Sequence, residues 1–433
     1  MNINSSEITP ENKVRHYHNC SKPQDVNFVD LPDDILYTIF AYCNTQTLCR
    51  LCCTCSRLRD LASKDCVWTK ESPNYRLMVF PGDVTCKRSP RQNSAQRRKR
   101  RIMLKDRCRI AKNWETKIVK DTQFVKHKTK LMPWARLHGQ KLYVSNAVNI
   151  NCYNVFNDST VKEDVSNRIS CCNYDVTKFV VNDDVLVSGF RGGSIIGFST
   201  VSKEKKFEYN FDECGDTQAV AVYNDTVVAG YQDGSVKVIN TNNDDKSGVV
   251  TINNCSNTVR NPNRVWSVAT SPDGSTFTIG NAGLETNRTP VEVHDLESCR
   301  LLYSLGSGYK KGAGVLDIKY ETPHIMLTCG YDTSLRLWDL RTLSCEKEWT
   351  EPFDTELSSI QSDGNNVILT GTFQYGMTRL WDKRLKDPVQ MYYCGQKRSP
   401  VYCLDTDFQR LFVALDLGIH MLDFTVYNSR NKH

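Results

Sequence analysis

One short pattern recurs seven times in this chain. In its clearest copy, Cys329 to Thr342 (CGYDTSLRLWDLRT), an apolar strand reaches a tight turn at Tyr331-Asp332-Thr333, and a second strand then alternates through Leu335, Leu337 and Trp338. That is the period-two pattern of a hairpin with one buried face. First strands of the same kind end at Asn146 (LYVSN), Gly189 (VLVSG), Gly230 (TVVAG), Gly280 (TFTIG), Gly330 (MLTCG), Gly371 (VILTG) and Leu415 (LFVAL). The second strands are INCYNV, SIIGFS, SVKVIN, VEVHDL, SLRLWD, MTRLWD and IHMLDF, and the steps between copies are 43, 41, 50, 50, 41 and 44 residues. Two strands cannot bury enough apolar area to stand alone, so each unit must stack on others like it.

Seven copies at this spacing, two of them with Trp-Asp intact (Trp338-Asp339 and Trp381-Asp382), resemble WD repeats. The resemblance implies an all-β, seven-bladed propeller over 114–427, each blade four-stranded. Gly192, Gly193, Gly234, Gly376 and Gly418 fall at hairpin turns, and Asp233 and Asp332 match the family's turn aspartate. No Gly-His dipeptide occurs, so the family's buried His, Asp, Ser and Trp network is incomplete. The seventh copy ends without room for an outer strand beyond Phe424. The expectation is that Glu115 to Val119, just ahead of a first blade beginning at Met132-Pro133-Trp134, supplies that strand and hides two sheet edges.

Between 25 and 72 the period changes to helical. Pro32 suits a first helical turn, and Asp33 and Asp34 favour its positive end. Ile35, Leu36, Ile39 and Phe40 form one stripe; Leu48, Leu51, Cys52 and Cys55 form a second; Leu58, Leu61 and Trp68 continue it into a third short helix. So small a unit with so much stripe is expected to share part of it with a partner. The order LPDDILYTIFAY, LCRLCCTCSRLRDLA, DCVWTK resembles an F-box. The resemblance implies docking on the Skp adaptor, and through it on the cullin and RING subunits of a ubiquitin ligase, with Leu31, Pro32, Ile35, Leu36, Ile39, Leu48, Leu51, Leu58 and Trp68 as the adaptor-binding set. The alternative use of these helices is as an N-terminal cap for the propeller. Cys49, Cys52, Cys53 and Cys55, read as lying on one helix without a matched second pair, do not suit tetrahedral zinc, and no metal is expected.

The segment 73–113 reads as a basic helical linker. From Cys86 to Asn113 it carries twelve Lys or Arg against Asp106 alone, whereas the whole chain is only +7, so the charge is local. Arg97-Arg98-Lys99-Arg100-Arg101 fits a solvated linker, a nuclear localisation signal or a polyanion patch. Nucleic-acid binding is not expected, since no aromatics interleave to stack on bases. With 39% hydrophobic residues the chain leaves room for disordered tails, read at 1–24 and 428–433. No 18-residue apolar run and no apolar leader segment is present, which points to a cytoplasmic or nuclear protein, neither secreted nor in a membrane. In that setting the nineteen cysteines read as small hydrophobes.

Catalytic signatures are missing: there is no GxSxG, P-loop, HExxH or paired CxxC, and the eight histidines are scattered. The expectation is a non-catalytic, cofactor-free receptor for an unknown protein substrate, with a propeller scaffold of nuclear or nucleic-acid association as the alternative. Receptors of the family that read phosphorylated segments carry arginines at the second position of the innermost strands. The corresponding positions read as Trp134, Val220, Trp266, Leu316, Ser358 and Tyr402, none basic, which favours an apolar or aromatic anchor. Trp134, Trp266, Leu316 and Tyr402, with the loop residues Arg191, Arg264 and Arg288, are the candidate substrate-binding set.

Overall fold

The computed structural model describes residues 27–70, 102–170, 174–182, 184–241, 257–285, 289–306, 309–395 and 398–427. The tails read at 1–24 and 428–433, and most of the basic linker including Arg97 to Arg101, fall outside them. The chain forms two units, Met1–Ser72 with Met103–Lys105, and Pro73–Ile102 with Asp106–His433.

The first unit is all helical: α1 (Asp33–Phe40), α2 (Thr45–Leu51), α3 (Ser56–Ala62) and α4 (Asp65–Trp68), with α1 and α2 both packed on α3. The second stripe of the sequence is thus two helices rather than one. The chain leaves α2 at Leu51, and Cys55 caps α3 by accepting the Leu58 amide at 3.5 Å. The four cysteines consequently sit on α2, in the turn and at the cap rather than along one helix. Asn44 caps α2 through a 2.9 Å bond from the Thr47 amide, the usual way to satisfy a first-turn donor. Leu36, Phe40, Leu48, Leu58, Leu61, Val67 and Trp68 are buried, and the Trp68 indole donates to the Ala62 carbonyl at 2.7 Å.

The second unit is a ring of seven antiparallel sheets. The innermost strands are Ala135–His138, Val176–Val181, Thr217–Tyr223, Val265–Thr270, Val315–Tyr320, Leu357–Ser362 and Cys403–Thr406. Each packs against the next, and the last packs against the first. All seven hairpins of the sequence pattern occupy the middle two positions of a blade, from Lys141–Asn146 with Asn149–Val155 to Arg410–Leu415 with Gly418–Asp423. Gly234 shows why the turns need glycine. Its φ is +91°, and a Cβ there would stand 2.0 Å from the Asn261 carbonyl oxygen.

Closure differs from the expected position by five residues. The seventh blade's outer strand is Lys120–Lys126, which pairs antiparallel with Gly418–Asp423 from Lys120 opposite Asp423 to Lys126 opposite Gly418. Glu115 instead lies in α5 (Leu104–Thr116). From Asp106 onward this helix belongs to the propeller, where Ile110, Ala111 and Trp114 are buried among residues of the sixth and seventh blades. The Trp114 ring stacks on Phe424 at 3.6 Å, and the Asn113 amide donates to the Phe424 carbonyl at 2.8 Å. The end of the basic segment is therefore a packed helix, not a solvated linker. A helical period runs through Leu104, Cys108, Ala111 and Trp114, and it outcompetes a strand at Glu115.

A chain starting at His127 lacks both α5 and the closing strand and is expected to aggregate, because two sheet edges are left open. One starting at Met103 is expected to melt cooperatively. Within the intact chain, Trp114→Ala should cost about 3–5 kcal/mol, read from the urea midpoint. Equal solubility and equal midpoints across these variants would refute this account of closure.

Candidate functional site

Two surfaces carry the candidate residues, one on each unit. On the helical unit the adaptor-binding set separates into buried and accessible members. Leu36, Leu48, Leu58 and Trp68 lie in the unit's own interior. Leu31, Ile39 and Leu51 are half-buried, Pro32 is exposed, and Ile35 is 47% exposed although its neighbour Leu36 is fully covered. Phe28, Val29 and Tyr42 add further exposed apolar surface. Arg57 fixes the entry to α1, since its guanidinium donates to the carbonyls of Val29 and Leu31 and pairs with Asp33 at 2.9 Å. That clamp holds Leu31 and Pro32 in extended conformation just ahead of the helix.

On the propeller, a cavity of about 710 Å³ opens at the N-terminal ends of the innermost strands. Trp134, Arg191, Arg264, Trp266 and Tyr402 of the substrate-binding set all line it. Leu316 is buried and is not on its wall, and Arg288 lies outside the described residues. The row of second-position residues also needs correction. In the third, fourth, fifth and sixth blades the innermost strand carries a bulge there: Val265 pairs with Asn281 and Ser267 with Gly280, leaving Trp266 unpaired, and Gln218, Leu316 and Ser358 are left out of register in the same way. Bulges of this kind re-aim a side chain. The true counterpart of Trp266 in the third blade is thus Gln218, which lines the cavity, whereas Val220 sits deeper.

The second blade was missing from that row, and it brings the cation. Its strand presents Thr177 and Lys178 opposite Gly189, and both line the cavity. Lys178 Nζ donates to the Trp266 carbonyl at 3.1 Å and stands 4.8 Å from the Trp134 ring, which Arg136 approaches at the same distance. Arg264 lies 5.0 Å from the Trp266 ring. The mouth is therefore lined by two indole faces, Trp134 and Trp266, each with a cation against it, and is not a purely apolar one. Two buried polar atoms on its wall, Trp266 Nε1 and Thr177 Oγ1, have no hydrogen-bond partner among the described residues. Burial also raises the Tyr402 phenol above its usual pKa, so that group is neutral at physiological pH.

Beyond Trp134 and Lys178 the cavity continues into the central channel, a further space of about 480 Å³ lined also by Arg136, Asp317, Lys319, Gln361 and Asp405. Asp317 and Asp405 each bridge neighbouring blades. Asp317 accepts the Ile360 amide at 2.8 Å, and Asp405 accepts the Leu137 amide at 2.8 Å. Burial draws the Lys178 and Lys319 ammonium groups below the ordinary lysine pKa.

Comparison with known proteins agrees with both halves. Residues 28–71 match the F-box-like family. Over 406 residues the chain is 33% identical to the F-box/WD repeat-containing protein 4 of Mus musculus, covering 91% of this chain and 92% of the mouse protein. The Homo sapiens protein of the same name is 32% identical over the same shares. Helices matching an F-box, followed by a closed ring of seven blades, six of four strands and the first with a short fifth, place this chain in the F-box/WD-repeat family.

Proposed function

We propose that this protein is the substrate-recognition subunit of a Skp/cullin/F-box ubiquitin ligase. The observation that carries the reading is the accessible apolar face of the helical unit. Ile35 stands half-exposed on α1 beside the fully buried Leu36 and Phe40, with Leu31 and Pro32 held ahead of it by Arg57. A core-only role for α1 gives no reason to leave that face uncovered. The Skp adaptor is the occupant the family suggests, with the cullin and RING subunits following through it, and the propeller cavity receives the substrate. The protein's own part is positioning: it raises the local concentration of substrate lysines near the conjugating enzyme and carries out no bond-making step. Its setting in this reading is cytoplasmic or nuclear.

The two classes of F-box residue make distinct predictions. An interface of standard size buries about 1,600 Å² in total, with central apolar residues worth at least about 2 kcal/mol. Leu31→Ala combined with Pro32→Ala should abolish capture of adaptor and cullin while leaving the helical circular dichroism intact. Leu36→Ala should instead destabilise the unit by about 2–5 kcal/mol, because it opens a cavity. Normal capture by the double variant would overturn the assignment, and capture of adaptor without cullin would favour a scaffold.

For the substrate, the cavity favours an aromatic or apolar anchor seated among Trp134, Trp266 and Tyr402, recognised without phosphorylation. Trp266→Ala with Tyr402→Ala should weaken substrate capture by the purified protein at least about tenfold, the effect of one well-packed anchor, and phosphatase treatment should not change it. Capture that vanishes with phosphatase yet survives both substitutions would show this to be wrong.

A further inference from the structure

The central channel holds more cations than carboxylates. Arg136 on the first blade, Lys178 on the second and Lys319 on the fifth all line it, and all three are half-buried. Among the described residues none lies within ion-pairing distance of a carboxylate. Arg136 donates only to the Cys403 sulfur at 3.5 Å, and Lys178 only to the Trp266 carbonyl.

The acidic groups nearby act on all three cations from a distance, but their oxygens are held by other donors. Asp317 gives one oxygen to the Ile360 amide and the other to the Ile318 amide, at 2.8 and 3.0 Å. Asp405 binds the Leu137 and Thr406 amides at 2.8 and 2.9 Å. Glu321, which faces Lys319 from the end of its strand, pairs with Lys383 at 2.6 Å. Three cations against two carboxylates leave the channel with an excess positive charge. A half-buried cation whose counter-charge is shared with its neighbours is only partly compensated. Channel walls of low dielectric also strengthen the attraction for an anion that enters.

We infer that the central channel of the propeller is a binding site for a small free oxyanion of the phosphate or pyrophosphate class, held jointly by Arg136, Lys178 and Lys319. Guanidinium and ammonium groups from three different blades would converge on one ion. Arg136 can offer a paired fork, and each lysine a point charge. Such an ion ties the first, second and fifth blades together from the inside, so binding should raise the melting temperature of the propeller. The site begins at the two cations against the Trp134 ring and extends inward to Lys319, and it does not rest on the substrate reading of the mouth.

Inorganic pyrophosphate is the probe, titrated calorimetrically into the full-length protein at constant ionic strength, with melting temperature followed in parallel. A saturable single-site isotherm is expected, with a rise in melting temperature. Lys319→Gln should weaken it at least about tenfold, the scale of losing one well-placed charge. Because one of three cations sharing two carboxylates is removed, the anion-free melting temperature of that variant should be no lower than that of the parent. Lys319→Arg should retain binding, as should Trp266→Ala with Tyr402→Ala, which separates this site from the substrate cavity. Alanine at each of Arg97 to Arg101 controls for the other basic cluster. The proposal is overturned by an absence of saturable heat, by binding that survives Lys178→Gln with Lys319→Gln, by binding lost with the Arg97 to Arg101 substitutions alone, or by an anion-free melting temperature that falls in Lys319→Gln.

Discussion

The antiparallel pairing of Lys120–Lys126 with Gly418–Asp423 is the contact on which the propeller depends. Every other strand of the ring pairs with a neighbour close in sequence, so each blade forms locally. This one pairing spans some three hundred residues, and it converts a row of blades into a ring. Closure removes two template edges and lets the innermost strands of the first and seventh blades pack together. Val125 then joins an apolar cluster with Phe412, Ala414, Ile419 and Met421 of the seventh blade and Ile150 and Cys152 of the first. Trp114 acts next to it, stacking on Phe424 just past the last strand and accepting the Tyr392 hydroxyl at its carbonyl. The chain thus makes the ends of its ring adhere twice, by a backbone ladder and by a packed helix.

The Trp-Asp signature is a local device rather than the cause of the fold. Where it is intact, the Trp338 and Trp381 indoles donate at 2.9 Å to Thr328 and Thr370 of the preceding strand, and Asp339 and Asp382 pair with Arg341 and Arg384 two residues on. At the matching register the other blades carry Tyr153, Phe198, Ile239, His294 and Leu422, all buried. His294 keeps the packing by lying 5.2 Å from the Phe277 ring, nearly parallel. Large and buried is what the position requires, since burial of apolar area drives the stacking of blades. The indole hydrogen bond adds specificity in two blades only.

This explains which parts of the structure were legible in the sequence. Period-two alternation survives the loss of Trp and Asp, so all seven hairpins could be found by their strands. The helical stripes were equally plain, although the break after Leu51 was not, because Cys52 and Cys55 continue the apolar spacing through a turn. The closing strand KDTQFVK hid behind its composition. It is an edge strand, polar except at Phe124 and Val125, and it follows a helix whose apolar residues drew attention away from it. The channel row was misread for a different reason. A bulge inserts one residue without leaving a mark in the alternation, so the sequence points to Val220 where the bulged strand presents Gln218, and it gives no sign of the second blade's Thr177-Lys178. Bulges are backbone features with weak side-chain preferences, and here they decide what faces the cavity.

The helical unit illustrates how stability and docking share one stripe. Its helices run eight, seven, seven and four residues, each too short to persist alone in water. Their stability must come from packing. Yet a unit of this size buries only a modest fraction of its chain, and it leaves Phe28, Val29, Ile35 and Tyr42 in solvent. Ile35 and Leu36 are adjacent and chemically alike, and only the 100° step of the helix separates a core residue from an exposed one. In the proposed role, a partner seated on the open half of the stripe would complete the burial that the short helices cannot achieve by themselves. Binding and folding of the unit are then linked, since whatever binds only the folded form stabilises it. On the proposed reading, the incompleteness of the helical core is what would suit it to docking: a larger core would fold more firmly but would have less apolar surface to offer.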